Sequence, residues 1–326
     1  MGRTGWLSPL VGSLGLAFIL TALCASPGAA EVFASLGTGE TNGIYYPVGK
    51  SICELVNRSL RTTGMRCSPE STPGSTYNVD ALQSGELEFG IAQADVALAA
   101  YSGKGRWTGR PSGKLRSVFA LYPEVVTIIA RQGSGIHAAA DLARKRVNVG
   151  GRGSGTRATW DMLQTALGFA PPEQVRLIEM NADATTHALC VGELDANVLM
   201  VGHPSPLVRS QLAACPTNLV AVNGSIVSKV IASAPYYRRD PIPGDLYGLS
   251  GDVPSFGVAA TLMTSTDVDA KIVAVLAKAV ITQIPELRKA LPALARVSAN
   301  EMIGGWLPAP LHPGALATYR ELGLLK

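Results

Sequence analysis

The sequence is poor in charged and aromatic side chains, and no run of like charge occurs in it. Of its 326 residues, 16% are charged and 6% are aromatic, while 47% are hydrophobic. A disordered chain has the opposite balance, so that class is excluded. The formal net charge is only +4. Because nucleic-acid binding relies on a clustered basic face, we expect no nucleic-acid partner.

Motifs for hydrolytic or metal-dependent catalysis are also missing. A G-x-S-x-G elbow is absent, since Arg152 rather than Gly stands two residues before Ser154. An H-E-x-x-H pair is absent too, and the four histidines, His137, His187, His203 and His312, have no metal-ligand spacing. Catalysis by a pair of Asp or Glu residues is not excluded by the sequence. We therefore predict a protein that is not an enzyme and that has no cofactor and no metal.

The first thirty residues resemble a secretory signal rather than part of a fold. Arg3 precedes an apolar segment, residues 10–23, and the small residues Gly28, Ala29 and Ala30 follow it. The segment is short for a transmembrane helix, which needs about 20 residues. We predict a signal peptide at 1–30, cleavage after Ala30 and a periplasmic protein that does not itself span the membrane. Lipid attachment at Cys24 and an uncleaved anchor are the alternatives.

Four cysteines remain after residue 30: Cys53, Cys67, Cys190 and Cys215. An even number in an exported protein favours disulfides, and four cysteines allow three pairings. The sequential pairing, Cys53 with Cys67 and Cys190 with Cys215, closes the shortest loops and is the one we predict. A zinc site is the rival interpretation, but the sequence has no C-x-x-C pair to support it.

Strand and helix patterns alternate from residue 31 onward, which indicates an α/β fold. Two longer apolar β segments, 125–130 and 257–263, enclose a second series of strands and helices. This order predicts two α/β lobes, the second inserted into the first, with the two long strands as a hinge that permits closure around a ligand. The predicted boundaries are 31–123 for the first part of lobe I, 124–256 for lobe II with its hinge strand, and 257–326 for the return strand and the rest of lobe I.

Two glycine-containing segments come close to nucleotide-binding motifs without matching them. The segment 37–43 has glycines at its first, third and seventh positions, where a dinucleotide fingerprint needs the first, third and sixth. The segment Gly49-Lys50-Ser51 resembles the end of a phosphate loop, but Ile44 occupies the position of the required upstream glycine. The first segment still predicts a flexible turn between a strand and a helix, where ligands bind in α/β folds.

A stronger signal is the segment Gly150–Arg157, which follows a predicted strand and begins a helix. The first N–H groups of a helix lack intrahelical partners and carry partial positive charge, and glycine lets a ligand approach them. The hydroxyls of Ser154 and Thr156 add donors, and Arg152 or Arg157 could add charge. The segment therefore suits a carboxylate or a phosphate. A helix cap on a tight turn is the alternative interpretation.

The chain carries a series of short motifs in a fixed order: GTG (37–39), GIYYPVG (43–49), ESTPGS (70–75), QAD (93–95), LYPE (121–124), GSGT (153–156), VGHP (201–204), VPSFGV (253–258) and PLHPGA (310–315). In this order they resemble the TAXI family, the extracytoplasmic solute receptors of tripartite ATP-independent periplasmic (TRAP) transporters. The resemblance covers nearly all of residues 31–326. Each motif alone is weak, whereas the ordered set is specific.

The resemblance implies a type II periplasmic binding fold, a small carboxylate ligand of the glutamate or dicarboxylate kind, and an ion-driven TRAP membrane permease as partner. Carried over position by position, it implies a ligand site at Thr38, Tyr45, Ser75, Gln93, Asp95, Ser154, Gly155, Thr156, Gly202 and His203. Glu40 departs from the family pattern, because many relatives have glycine there. Alternative functions are an orphan receptor that reports its ligand to a signalling partner, and a secreted hydrolase.

Overall fold

One mixed β-sheet organises the chain from residue 31 onward. The computed structural model describes residues 1–2, 5, 31–171, 174–234, 236–304 and 307–326. Contacts within the chain separate Met1–Ala30 from Glu31–Lys326 as two units. The predicted signal peptide and its cleavage site lie almost entirely outside the described residues, and so they stay predictions.

The strands alternate with helices along the chain, as the sequence predicts. The strands are β1 (Val32–Gly37), β2 (Met65–Glu70), β3 (Phe89–Gln93), β4 (Leu115–Arg131), β5 (Arg146–Asn148), β6 (Arg176–Ile178), β7 (Ala196–Val201), β8 (Thr217–Val220), β9 (Arg238–Arg239) and β10 (Phe256–Ser265). The helices are α1 (Tyr45–Arg58), α2 (Leu60–Thr63), α3 (Ser75–Ser84), α4 (Ala94–Tyr101), α5 (Gly155–Leu167), α6 (Ala182–Val191), α7 (Pro206–Ala214), α8 (Gly224–Ser233), α9 (Ala270–Thr282), α10 (Ile284–Ala290), α11 (Ala299–Ile303) and α12 (Pro313–Glu321).

The sheet has two parallel groups of strands with an antiparallel pair between them. Its main order is β2-β1-β3-β10-β4-β7-β5-β6, with β8 paired to β4 and β9 paired to β10. Strands β1, β2 and β3 are parallel to one another and form the first half; β5, β6 and β7 are parallel and form the second half. Strands β4 and β10 run antiparallel to each other and to their neighbours in both halves.

Strand β4 is longer than the apolar pattern predicts, because it begins at Leu115 rather than at Val125. The residues before Val125 include Ser117 and Pro123, which interrupt the hydrophobic run that marks a buried strand. Pro123 is tolerated because it lies beside an irregularity in the pairing of β4 with β10. The strand therefore continues through both halves of the sheet, which the local pattern does not show.

Separate hydrophobic cores stabilise the two halves. On one side of the first half, Leu36, Ile52 and Leu262 pack with residues of α9 and α12, and a smaller cluster lies under α3 and α4. In the second half, Trp160 and Val198 belong to the cluster under α5 and α8, and another cluster lies under α6 and α7. Each half therefore has its own apolar clusters, which meet where Ala94 of α4 joins the cluster under α5 and Ala158 of α5 packs against the cluster under α3 and α4.

The predicted sequential disulfides are present, one in each half. Cys53 of α1 is bonded to Cys67 of β2, and Cys190 of α6 is bonded to Cys215 just after α7. The Cα atoms are 4.9 and 5.5 Å apart, inside the usual limit of about 7 Å. Each bond therefore ties one helix to a neighbouring element within the same half.

Among the described residues, no helix combines the length and the apolar character that crossing a membrane requires.

Candidate functional site

Two helix N-termini face each other at the carboxyl ends of the parallel strands. Helix α3 of the first half begins at Ser75, directly after Gly74, and α5 of the second half begins at Gly155, with Ser154 as its cap. Ligands in α/β folds bind at this edge of the sheet. A cavity of about 150 Å³ lies here. We call it the cleft cavity; residues of both halves line it, among them Tyr45, Gln93, Glu124, Asn148, Thr156 and Met200.

Close packing between the halves explains why a glycine starts α5. A Cβ atom at Gly155 would lie 1.9 Å from Gln93 Oε1 and 2.6 Å from Ser75 Oγ. Any side chain here would therefore have to displace polar groups of the first half. Gly150 is also constrained, because its φ of +78° lies in the left-handed region that favours glycine. Gly155, which the sequence marks as part of a glycine-rich turn, thus lets the backbone at the start of α5 approach the side chains of Gln93 and Ser75.

Direct hydrogen bonds join the two halves beside the cleft cavity. The backbone N–H groups of Thr76 and Tyr77 donate to the carbonyl oxygen of Gly153, at 3.0 and 3.1 Å. Gln93 Nε2 donates to Thr159 Oγ1 at 2.8 Å. The start of α3 and the loop before α5 are therefore in direct contact.

A buried carboxylate extends this connection. Asp95 accepts hydrogen bonds from Tyr237 Oη at 2.6 Å, from the backbone N–H of Val96 at 2.8 Å and from Thr159 Oγ1 at 3.3 Å. Burial raises the pKa of Asp95, and these hydrogen bonds oppose that rise. Since Asp95 belongs to α4 and Tyr237 precedes β9, the carboxylate links two segments that are far apart in the sequence.

A second buried carboxyl group faces the cavity itself. Glu124 of β4 is only 4% exposed, and its Oε2 accepts a hydrogen bond of 2.6 Å from Tyr45 Oη. Burial raises the pKa of Glu124 to about 8 and holds the pKa of Tyr45 well above its usual value. Among the described residues that line the cleft cavity, none is Lys, Arg or His. Its charge-bearing side chains are thus Glu124 and Glu40.

The structure brings six of the predicted site residues together around the cleft cavity: Tyr45, Ser75, Gln93, Ser154, Gly155 and Thr156. Two others do not line it. Thr38 is fully buried, and its hydroxyl donates to the carbonyl oxygen of Glu70 at 2.6 Å. Asp95 accepts a hydrogen bond from the side chain of Gln93 and holds that residue in place. Thr38 and Asp95 therefore support the site rather than contact the cavity.

Gly202 and His203 do not line the cleft cavity, and His203 lines a larger one instead. A Cβ atom at Gly202 would come within 2.7 Å of the Tyr122 ring, so this glycine permits close packing. His203 bonds Thr127 Oγ1 through Nε2 and Tyr247 Oη through Nδ1, and burial lowers its pKa to about 4. We call this cavity of about 570 Å³ the proline-rich cavity; Pro123, His203, Pro204, Arg238, Pro243, Ala259, Pro292 and Arg296 are among its lining residues.

We call the segment Ser154–Thr156 the anion seat. Arg152 and Arg157, which could add charge to this seat, instead contact acidic residues outside it. Arg157 pairs with Asp161 at 3.2 Å and with Glu179 at 2.9 Å, while the highly exposed Arg152 lies 3.8 Å from Glu179. Neither arginine lines the cleft cavity. The seat therefore consists of backbone N–H groups and hydroxyls.

Sequence reasoning missed Glu124 and Asn148 as residues of the cavity. Asn148 ends β5 and bonds both Asn197 and the backbone N–H of Met180, which shapes this wall. In the sequence, Glu124 stands out only as the last residue of the LYPE motif, 121–124. A single acidic residue next to the apolar run 125–130 is a signal that could have identified it, since a charge entering a buried strand needs a special reason.

Comparisons with known proteins agree with this architecture. A putative L-cystine ABC transporter from Listeria monocytogenes has 14% identity and a TM-score of 0.51, covering 83% of this chain and 99% of that one. The alkanesulfonate-binding protein SsuA from Xanthomonas axonopodis pv. citri, bound to MOPS, has 16% identity and a TM-score of 0.50, covering 92% and 96%. At these identities the likeness shows the fold alone. It confirms the periplasmic binding protein fold predicted from sequence.

The family is shown by a separate comparison. The model that describes the NMT1-like family matches residues 36–323. This range covers strands of both halves of the sheet, the cleft cavity and all of α12. The chain therefore belongs to the NMT1-like family.

Proposed function

We propose that the protein is a periplasmic solute-binding receptor that captures a small carboxylate in the cleft cavity. The observation that carries this proposal is the meeting of two helix N-termini, α3 and α5, across one cavity between the halves of the sheet. The positive ends of both helices and the N–H groups at the start of α5 favour an anion at such a place. In α3 the N–H groups of Thr76 and Tyr77 already donate to Gly153. In this proposal the protein binds its ligand and performs no chemistry on it.

The anion seat at Ser154, Gly155 and Thr156 has the donors for one carboxylate. A helix N-terminus contributes about 0.3–1 kcal/mol toward an anion when exposed and up to about 2 kcal/mol when partly buried. Hydrogen bonds to a charged group contribute about 1.5–3 kcal/mol each. A cavity of about 150 Å³ suits a small molecule, because an engineered protein cavity of about that volume binds benzene.

Closure of two lobes would cover the bound ligand. We propose lobe I at 31–123 and 257–326 and lobe II at 124–256, joined through β4 and β10. The bonds from Thr76 and Tyr77 to Gly153 and from Gln93 to Thr159 would form on closure. Ligand would favour the closed form only through contacts that differ between the two forms. Small-angle scattering should show the mature protein contracting when ligand saturates it.

A membrane permease would receive the ligand. The ordered motifs resemble the TAXI family, which supports a TRAP-type permease driven by an ion gradient. The likeness to a putative L-cystine ABC transporter favours the second candidate, an ABC-type importer driven by ATP. A signalling partner is the third. Uptake of labelled ligand into vesicles that contain the cognate permease would separate the first two, because ATP supports only one of them and an ion gradient only the other.

Export and capture can be tested on the same preparation. N-terminal sequencing of periplasmic protein should begin at Glu31. Thermal unfolding of that protein should then be measured with acetate, succinate, 2-oxoglutarate and glutamate, and with matched neutral amides. A rise in melting temperature with a carboxylate but not with its amide supports the proposal, because a ligand that binds only the folded state stabilises it. No shift with any carboxylate would contradict it.

A further inference from the structure

Glu124 is connected to the anion seat by a short series of contacts. Its Oε2 accepts a hydrogen bond from Tyr45 Oη at 2.6 Å, and Tyr45 Oη lies 3.3 Å from Ser75 Oγ. Ser75 Oγ in turn lies 2.6 Å from the position of a Cβ atom on Gly155. The carboxyl group therefore lines the same small cavity as the seat and shares its hydrogen-bonding side chains.

Among the residues that the structure describes, none provides a positive partner for Glu124. The titratable groups that face it are Tyr45 of α1, Tyr122 of its own strand and Asp95 of α4. Glu40 is the other acidic residue on the cavity wall, and no described lining residue is basic. An ionised carboxylate loses its hydration here without gaining a counter-ion, and each acidic neighbour adds repulsion. The geometry thus favours the neutral acid.

A neutral carboxyl group has one O–H donor, whereas a carboxylate has none. Oε2 is occupied by Tyr45, so a proton on Oε1 is available to the cavity that Glu124 lines. A ligand carboxylate placed there would accept this hydrogen bond. It would also make ionisation of Glu124 still less favourable, because two carboxylates at close range cannot both carry charge.

We propose that Glu124 enters the binding reaction as a carboxylic acid and donates a hydrogen bond to the anionic ligand, so that anion capture requires a proton on this residue. The inference rests on the proposed function, because it assigns Glu124 a role in recognising the carboxylate. The proton comes from solvent and remains on Glu124 in the complex; no covalent bond forms or breaks. Burial, which raises the pKa of Glu124 to about 8, agrees with this role.

The first experiment needs no ligand. Infrared difference spectra between the mature wild type and Glu124→Gln should show the C=O band of a protonated carboxyl group at pH 7. The band should lose intensity with a midpoint near pH 8, the value to which burial raises the pKa of Glu124. A band already absent at pH 6 would overturn the inference.

The second experiment uses whichever of acetate, succinate, 2-oxoglutarate or glutamate binds most tightly. Calorimetric titration in two buffers of different ionisation enthalpy gives the number of protons exchanged on binding. At pH 8.5 the wild type should take up at least half a proton, and its affinity should fall about twenty-five-fold between pH 7.5 and 9.5, which is the fall in the protonated fraction of a group with a pKa of about 8. Glu124→Gln should bind more weakly at pH 7.5, with no proton uptake and a flat pH profile.

Glu88→Gln is the matched control. Glu88 lies just before β3 and accepts a hydrogen bond from the backbone N–H of Ser35, far along the strand from Gln93. This variant should keep the wild-type dependence of affinity on pH. If a carboxylate binds and Glu124→Gln keeps that dependence too, the inference is wrong while the proposed function stands. Proton release on binding would also overturn the inference, because it would mean that Glu124 loses its proton in the complex, as it would beside a ligand ammonium group. If no carboxylate binds, the proposed function is wrong and the inference fails with it.

Discussion

The two cavities beside strand β4 differ in size and in chemistry. Glu124 lines the cleft cavity, whereas its neighbours Pro123 and Val125 line the proline-rich cavity. Successive side chains of a strand point to opposite faces, so one strand contributes to both. The cleft cavity holds about 150 Å³ and the proline-rich cavity about 570 Å³. The smaller one has two helix N-termini at its wall, and the larger one has prolines and alanines.

This difference teaches that volume alone does not identify the ligand site. The charged groups of the proline-rich cavity include both members of an ion pair, Arg238 and Asp240, whose atoms are 3.0 Å apart. Such a pair satisfies its own charges. The cleft cavity instead presents donors at the carboxyl ends of parallel strands, where α/β folds place their ligands. We therefore expect changes at the cleft cavity to affect binding far more than changes at the other.

The largest effect is expected from Gly155→Ala. The new Cβ atom would collide with Gln93 Oε1 and Ser75 Oγ, so the two halves could not close as they do here. Carboxylate affinity should fall at least a hundredfold, or about 3 kcal/mol, by calorimetric titration. Gly151→Ala in the same loop adds a methyl group to open space and should cost much less. Equal losses in the two variants would place the cause outside the cleft cavity.

Next in size is the effect of pH on the stability of Glu124→Gln. Since the pKa of Glu124 is raised to about 8 from an ordinary 4.5, the folded wild type binds more protons than the unfolded chain between those values. Wild-type stability must then fall as pH rises through this window. The variant lacks this loss, and its relative stability should increase by about 3 kcal/mol from pH 5 to pH 8 in urea unfolding. Parallel curves would contradict the burial of Glu124.

Tyr237→Phe tests the connection behind the cleft cavity. The variant removes one hydrogen bond to the buried Asp95 and leaves those from Val96 and Thr159 in place. A hydrogen bond to a charged group contributes about 1.5–3 kcal/mol, and we expect a loss of that order in urea unfolding. Tyr77→Phe is the control, because the Tyr77 hydroxyl bonds Glu86 on the exposed surface. A loss no larger than in the control would show that Asp95 needs no partner from Tyr237.

The smallest effect is expected from Arg296→Ala in the proline-rich cavity. Arg296 lines that cavity and not the cleft cavity, so removing its charge should change carboxylate affinity less than threefold. Calorimetric titration beside Gly155→Ala gives the comparison. Loss of binding in Arg296→Ala, with binding kept in Gly155→Ala, would move the ligand site to the larger cavity.

The sequence by itself determined the alternation of strands and helices, the disulfide pairing and the glycine-rich start of α5. These features are local: an apolar run, a short loop between cysteines, or a turn that only glycine permits. Six site residues that the resemblance to the TAXI family implies meet at the cleft cavity, because each ends or follows a strand whose carboxyl end lies at one edge of the sheet. Ligand binding at the carboxyl ends of parallel strands is a general property of α/β folds, and so the position of a turn after a strand suffices to predict this edge as the ligand site.

Only the tertiary structure decided the rest. The continuation of β4 to Leu115 depends on pairing with β10, more than 130 residues later in the chain. Likewise, Gly202 and His203 follow β7 as a ligand residue would, yet neither lines the cleft cavity: Gly202 packs against Tyr122, and a hydrogen bond with Tyr247 holds His203 at the other cavity. The role proposed for Glu124 depends on its burial, to which both halves contribute, and on its hydrogen bond with Tyr45 of α1. Desolvation and long-range pairing are set by the whole fold, and no short segment of sequence encodes them.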